Sequence, residues 1–235
     1  MKVIGKDIGD ALDAMYAEIE RRAKVEAECD LRVVPLDGGA FSSVDWEPGV
    51  VTIALHNGVQ RRALAHVFGV ALQHVRQRLD HYPEVVEIGI DVDGGDLVRV
   101  TLRELVMAPE AEVQLAPLNL DTTWETQQRH AGMKDLLQNA PADWNEAGTP
   151  GNAFVALQYA RFAIEHPADL WAALVGPFKE RLPIAAERGE AVVARVREHG
   201  WGSAGASLES LVAAREELDL KAYVAVRDLR NGTVL

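Results

Sequence analysis

Histidine side chains, which bind metals and move protons near neutral pH, gather around one predicted helix. His66 and His74 lie on that helix, His56 lies in the turn before it, and His81 lies near its end. Two histidines four residues apart chelate one metal ion readily, because one helical turn places both on the same face. His66 and His74 are further apart in sequence, which separates them by about 80° around the helix axis. A metal shared by His56, His66 and His74 therefore depends on the tertiary fold.

The segment from Val50 to Val75 resembles the active-site region of zincin metallopeptidases. Its sequence, VVTIALHNGVQRRALAHVFGVALQHV, predicts a strand, a polar turn and an amphipathic helix. Leu64-Ala65-His66 and Gly69 are similar to the corresponding residues of the ImmA/IrrE-like peptidases, whose helix runs LAHELGH. ELVMAP, from Glu104 to Pro109, is similar to the ELLMP ending of that family. The resemblance covers about residues 10–115 and implies a zincin-like fold, whose cleft binds extended peptide along a sheet edge.

Three positions that carry the chemistry of that family differ in this sequence. A zincin needs a glutamate beside its first histidine to deprotonate the zinc-bound water, and a second histidine one helical turn later. Val67 and Val70 occupy those positions, and Leu97 occupies the position expected for the third ligand. Valine cannot bind zinc or move a proton. The resemblance therefore implies a catalytically inactive relative with no metal and no cofactor.

We expect such a protein to act as a regulatory module that binds a protein or peptide partner. His66, Gln73 and His74 are the candidate binding residues, since Gln73-His74 ends an ALQH stretch that resembles a common continuation in the family. Two alternatives stay open at this point. One is an active metal-dependent hydrolase with rearranged ligands, namely His56, His66 and His74. The other is a non-enzymatic assembly protein on an unrelated α+β fold, built through its helical C-terminal half.

Other residues that could carry chemistry have simpler interpretations. Cys29 is the only cysteine, so an intramolecular disulfide is excluded, and we expect it to be a small core residue. Glu110, Glu112 and Asp121 could pair for acid–base work, but nothing in the sequence fixes their geometry. The acidic run from Asp91 to Asp96 lacks the ligand pattern of an EF-hand loop and is interpreted as a hairpin turn.

Composition and charge limit the classes of partner. The chain has 235 residues, of which 48% are hydrophobic, which suits a globular protein with a substantial core. A formal charge of −12 disfavours nucleic acid as a partner, because binding to phosphates depends on clustered Lys and Arg. No apolar stretch approaches the ~20 residues that a membrane span requires, and the N-terminus has no apolar signal core. We therefore expect a cytoplasmic protein without membrane association.

The hydrophobic pattern predicts an α+β fold with a small, mostly antiparallel sheet. Strands are expected at residues 31–36, 50–55 and 222–226, with a hairpin at 85–102. Helices are expected at residues 9–28, 59–79, 134–138, 152–165, 168–175, 184–198 and 208–218. The region from residue 108 to 151 is expected to be mostly irregular, with Trp124 and Trp144 packed onto the body. The predicted division is a zincin-like α+β region at residues 1–115 and a mainly helical region at 116–235, packed on the first.

Overall fold

The computed structural model of the chain describes residues 1–88 and 94–235. The strands are β1 (Lys2–Val3), β2 (Lys6–Asp7), β3 (Asp30–Leu36), β4 (Ser42–Glu47), β5 (Val50–His56), β6 (Glu84–Glu87) and β7 (Val224–Arg227). The helices are α1 (Asp13–Glu26), α2 (Arg61–Leu79), α3 (Gly95–Leu115), α4 (Thr123–Asn139), α5 (Pro150–Glu165), α6 (Ala168–Arg181), α7 (Pro183–His199) and α8 (Ala204–Glu217). The α+β class expected from the sequence is confirmed. No helix within the described residues is both long and apolar enough to cross a membrane.

The chain forms two compact units, and each unit combines two separate segments. Unit 1 consists of Met1–Asp80 and Ala111–Gln127, and unit 2 consists of His81–Glu110 and Gln128–Leu235. The end of α3 and the first turn of α4 therefore belong to unit 1. These units are defined by packing, and the boundary near residue 115 stays a prediction.

Unit 1 is built on a three-stranded mixed sheet in the order β3-β5-β4. β3 runs parallel to the central strand β5, and β4 runs antiparallel to it. Val51, Ile53 and Leu55 occupy alternate positions of β5, so their side chains point to the same face of the sheet. All three are fully buried. They join the core formed by the apolar faces of α1 and α2. Cys29 is buried in this core, as expected.

The sequence pattern located most of unit 1. α2 begins at Arg61 and ends at Leu79, and its apolar residues recur every three or four positions, which is the spacing of one helix face. The strands β3 and β5 also lie where the sequence predicts them. β4 was not predicted, because its sequence SSVDWE contains only two large apolar residues. The turn at Pro48-Gly49, with Gly49 at φ 81°, directs this strand back along β5.

Unit 2 is mainly helical, and α5, α7 and α8 end within about one residue of their predicted ends, whereas α6 continues to Arg181 instead of ending at residue 175. Thr149 caps α5 by accepting a hydrogen bond from the Asn152 amide (3.1 Å), and Pro150 occupies the first helical position. α7 ends at His199 and is followed by Gly200, whose φ of 77° is a left-handed value that glycine adopts at little cost. The two-stranded antiparallel sheet of β6 and β7 also belongs to this unit.

The predicted hairpin at residues 85–102 is wrong. β6 ends at Glu87 and pairs antiparallel with β7, and α3 begins at Gly95. Val98, Leu102 and Leu105 are buried at helical spacing, whereas Val100 is 47% exposed. The alternating sequence therefore fits a helix as well as a strand, and packing selects the helix. The part of the prediction on residues 89–93, including Asp91 and Asp93, lies outside the described residues.

The predicted irregular region at residues 108–151 is also wrong over most of its length. α3 continues through Pro109 to Leu115, and α4 occupies seventeen residues from Thr123 to Asn139. The short helix expected at 134–138 is the end of α4. Trp124 does pack onto the body, with its ring centroid 5.1 Å from that of Phe41.

Candidate functional site

The candidate site of unit 1 is centred on His66, in the second turn of α2. The neighbouring apolar residues Leu64, Val67 and Phe68 are fully or almost fully buried, and they hold this face of the helix against the core. His66 itself is only 2% exposed. A polar side chain at this depth must find hydrogen-bond partners, because the protein interior does not replace the lost water.

Two carboxylates bind the two ring nitrogens of His66. Nδ1 hydrogen-bonds to Glu125, and Nε2 lies 3.0 Å from a carboxylate oxygen of Glu112. An ionised carboxylate only accepts hydrogen bonds, so the ring satisfies both partners when it carries two N–H groups and a positive charge. Burial opposes that charge and lowers the pKa, but the hydrogen bonds with Glu112 and Glu125 outweigh burial and raise the pKa of His66 to about 9. His66 is therefore an imidazolium at neutral pH.

Asp121, which lies four residues before Glu125, also pairs with α2. Asp121 accepts a hydrogen bond from the Thr123 amide (2.9 Å) at the start of α4. The hydrogen bond with the Thr123 side chain, followed by the one from its amide, holds the pKa of Asp121 below its usual range, and the positive charge of Arg62 contributes in the same direction. Arg62 lies 3.7 Å from Asp121. Arg62 and His66 are one helical turn apart on α2, so these two cations lie close to Asp121, just before α4, and to Glu125 in its first turn.

A zinc ion, which the zincin resemblance would imply, does not fit the residues present. Val67, at the position of the general base, is 1% exposed and packs in the core. Val70, at the second ligand position, packs against the same core, and Leu97 is 53% exposed in unit 2. Across residues 1–88 and 94–235, no group of three or more His, Cys, Asp or Glu side chains could hold a metal ion. Both nitrogens of His66 already serve carboxylates.

The other histidines proposed as ligands have separate partners. Nδ1 of His56 accepts a hydrogen bond from the Gly58 amide (2.9 Å) in the turn before α2. Nδ1 of His74 lies 2.8 Å from the amide oxygen of Gln77, and both side chains are buried. The described residues thus do not bring His56, His66 and His74 together as a metal-binding group.

The predicted binding residues are buried inside unit 1. Gln73 is 3% exposed, donates to the sulfur of Met15 (3.3 Å) and accepts a hydrogen bond from Arg76. His66 and His74 are similarly buried. Their role in binding a partner stays a prediction.

Sequence reasoning named one of the two carboxylates and missed the other. Glu112 was considered for acid–base work together with Glu110, which instead accepts a hydrogen bond from the Tyr82 hydroxyl (3.4 Å) in unit 2. The sequence pattern does not indicate Glu125, because it predicts an irregular segment there. A signal was present, since Thr122 followed three residues later by Glu125 matches the capping box that starts many helices.

A second feature of unit 1 is the edge of its sheet. Among the described strands, β4 pairs with β5 on one side and is the last strand of the sheet on the other. Val44 and Trp46 of β4 pack against the core, whereas Asp45 and Glu47 are exposed. An edge strand presents unpaired N–H and C=O groups, which can pair with another extended chain.

The hydrogen bonds around His66 leave its ring no free lone pair for catalysis. A general base or nucleophile needs a free lone pair directed at a substrate, and the doubly protonated ring of His66 has none. Comparisons of the chain with protein-family models, curated proteins and solved structures find no match. The ion pairs with Glu112 and Glu125 instead link α2 to the end of α3 and the start of α4 within unit 1.

Proposed function

We propose that this chain is a catalytically inactive, zincin-like protein that binds a protein or peptide partner. The observation that carries the proposal is the occupation of both ring nitrogens of His66 by Glu112 and Glu125. In a zincin the corresponding histidine gives a nitrogen to zinc, whereas here it holds three segments of the fold together. The general base is replaced by Val67, a buried core residue.

The binding part of the proposal is supported by the edge strand β4. An extended peptide can add a strand to an exposed sheet edge, where its main chain supplies hydrogen bonds and its alternate side chains supply specificity. β4 belongs to the same sheet as β5, whose end leads through a short turn into α2. This edge therefore supports a peptide-binding role for a chain that lacks the residues for catalysis.

The inactive state is tested by the metal content of the purified protein. Zinc is measured by atomic emission spectroscopy in the natural protein and in the His66→Gln variant. A matched control is His199→Gln, which changes a half-buried histidine of unit 2. We expect no stoichiometric zinc in any of the three. One zinc per chain that disappears in His66→Gln and persists in His199→Gln would overturn the proposal.

The binding role is tested by amide hydrogen exchange in the presence of a library of short extended peptides. A strand added to the sheet should slow the exchange of β4 amides, because those N–H groups become hydrogen-bonded. The amides of the central strand β5 serve as an internal control, since they are already paired on both sides. If no peptide slows exchange in β4, this role is wrong.

A further inference from the structure

The chemistry of the β4 edge identifies the kind of peptide that it would bind. Asp45 and Glu47 are two residues apart on the strand, so both side chains point to the same face of the sheet. Both are exposed, and among the described residues neither carboxylate takes part in an ion pair, although Asp45 accepts a hydrogen bond from Ser43 (3.1 Å). The edge therefore presents a row of two negative charges to any strand that pairs with it.

We infer that the β4 edge binds an extended segment whose alternate residues are lysine or arginine, as a fourth strand of the sheet. This inference rests on the proposed function and names the partner of the same edge. Side chains directly opposite each other on neighbouring antiparallel strands have Cβ atoms about 5 Å apart, and opposite charges at that separation are favourable. Basic residues at alternate positions would thus meet Asp45 and Glu47.

The other face of the edge favours apolar residues in the same peptide. Val44 and Trp46 point to the core side, where the guanidinium of Arg78 lies 5.1 Å from the centre of the Trp46 ring. A basic residue on that face would meet the like charge of Arg78, which is unfavourable. An apolar residue would instead extend the surface of Val44 and Trp46. The expected pattern is therefore basic and apolar residues in alternation.

The opposite edge of the sheet is less suited to this peptide. β3 contains Pro35, which has no N–H group, and proline on an edge strand discourages pairing with another chain. Arg32 of β3 is exposed and pairs in register with Thr52 of β5, as Asp45 does from the other side. The same face of the sheet is thus basic at its β3 edge and acidic at its β4 edge.

A second copy of this chain is a poorer occupant of β4 than a basic peptide. If two β4 strands paired, each would bring Asp45 and Glu47 to the shared sheet. Like charges at facing positions of neighbouring strands are destabilising. Charged residues on edge strands are a common means of preventing such self-association.

The inference is tested with three synthetic peptides that alternate valine with lysine, threonine or glutamate. Binding is measured by fluorescence anisotropy, and β4 amide exchange reports the place of binding. We expect the lysine peptide to bind about tenfold more tightly than the glutamate peptide and to slow exchange in β4. The preference should weaken as salt is raised to ~0.5 M, because exposed charges are screened.

Charge variants of the protein complete the test. In the Asp45→Lys/Glu47→Lys variant the preference should reverse, so that the glutamate peptide binds more tightly. The control Asp10→Lys/Glu28→Lys changes two other exposed acids of unit 1 by the same total charge and should keep the natural preference. The milder Asp45→Asn/Glu47→Gln variant should reduce the preference without reversing it, which guards against misfolding of the lysine variant.

The outcomes separate this inference from the proposed function. Equal binding of the lysine and threonine peptides, with β4 amides protected in both cases, would overturn the basic partner and keep peptide binding at the edge. Protection of β4 by none of the three peptides would count against both. Tight binding of the lysine peptide that is unchanged in Asp45→Lys/Glu47→Lys would show that it binds elsewhere, and the inference would be wrong.

Discussion

The charged state of His66 should make the stability of the protein depend on pH in the alkaline range. The pKa of His66 is about 9 in the folded protein, compared with an ordinary value of 6.5. The difference corresponds to about 3 kcal/mol of interaction that only the imidazolium makes. Because the folded pKa is raised, this contribution is fully present below about pH 6.5. It is lost as the pH rises through about 9.

The measurement is urea unfolding of the natural protein and the His66→Gln variant at about pH 6 and about pH 10.5. Glutamine keeps polarity but carries no charge, so it removes the positive charge that Glu112 and Glu125 face at this position. We expect the variant to be less stable by about 3 kcal/mol at the lower pH, and the two proteins to converge at the higher pH. Every other titratable residue is common to both proteins, so the difference isolates His66.

One result would refute the reasoning directly. If the natural protein and His66→Gln differ in stability by the same amount at both pH values, then His66 does not change its charge between them. The imidazolium and its two ion pairs would then be wrong. The NMR titration of the His66 ring provides an independent check, since its chemical shift should change near pH 9 instead of near 6.5.

Two further predictions concern unit 2. In α7, Gly189→Ala should destabilise the protein by about 1–3 kcal/mol, because an added Cβ would lie 2.7 Å from the Cβ of Tyr159. Gly176→Ala in α6 is the control, since its Cβ would contact nothing within 4 Å and alanine is the better helix former. Thermal unfolding of both variants measures the contrast in stability. Equal effects of the two substitutions would contradict the prediction. The ring nitrogens of His130 and His166 lie 3.2 Å apart, and burial lowers the pKa of both, so the folded protein favours their neutral forms. The stability of the folded protein should therefore fall as the pH drops below about 6.5. Urea unfolding should show a smaller loss of stability at acidic pH in the His130→Asn/His166→Asn variant. If the variant loses as much stability as the natural protein, these histidines are not the cause.

The sequence predicts those elements whose pattern fits a single kind of structure. The apolar residues of α2 recur only with helical spacing, and β5 is a mostly apolar run bounded by turns, so the predicted bounds of both lie within two residues of the observed ones. The start of α3 fits two periods, since Val98, Val100 and Leu102 alternate while Val98, Leu102 and Leu105 share a helix face. Only the burial of that face distinguishes the two, and burial is decided by the tertiary fold.

The candidate site was partly predictable for a related reason. His66 was located because its helix and its neighbours form a local pattern. Its partners Glu112 and Glu125 are 46 and 59 residues away, and a contact at that separation leaves no periodic signal. Those distant residues determine whether His66 acts as a metal ligand or forms ion pairs. The resemblance to a peptidase therefore indicates the position of the candidate site at His66, whereas Glu112 and Glu125 determine its chemistry.

The return of residues 111–127 to unit 1 also has a consequence for the order of folding during synthesis. A nascent chain that has been made only as far as Asp80 contains the sheet, α1 and α2, but lacks both carboxylates of His66. Unit 1 cannot be completed until the ribosome has released the start of α4, by which time part of unit 2 has also emerged. Contacts this distant in sequence slow folding, because a long loop must close before they form. We therefore expect premature release, or cleavage between the two segments, to leave His66 of α2 without its hydrogen bonds to Glu112 and Glu125 and unit 1 prone to aggregation.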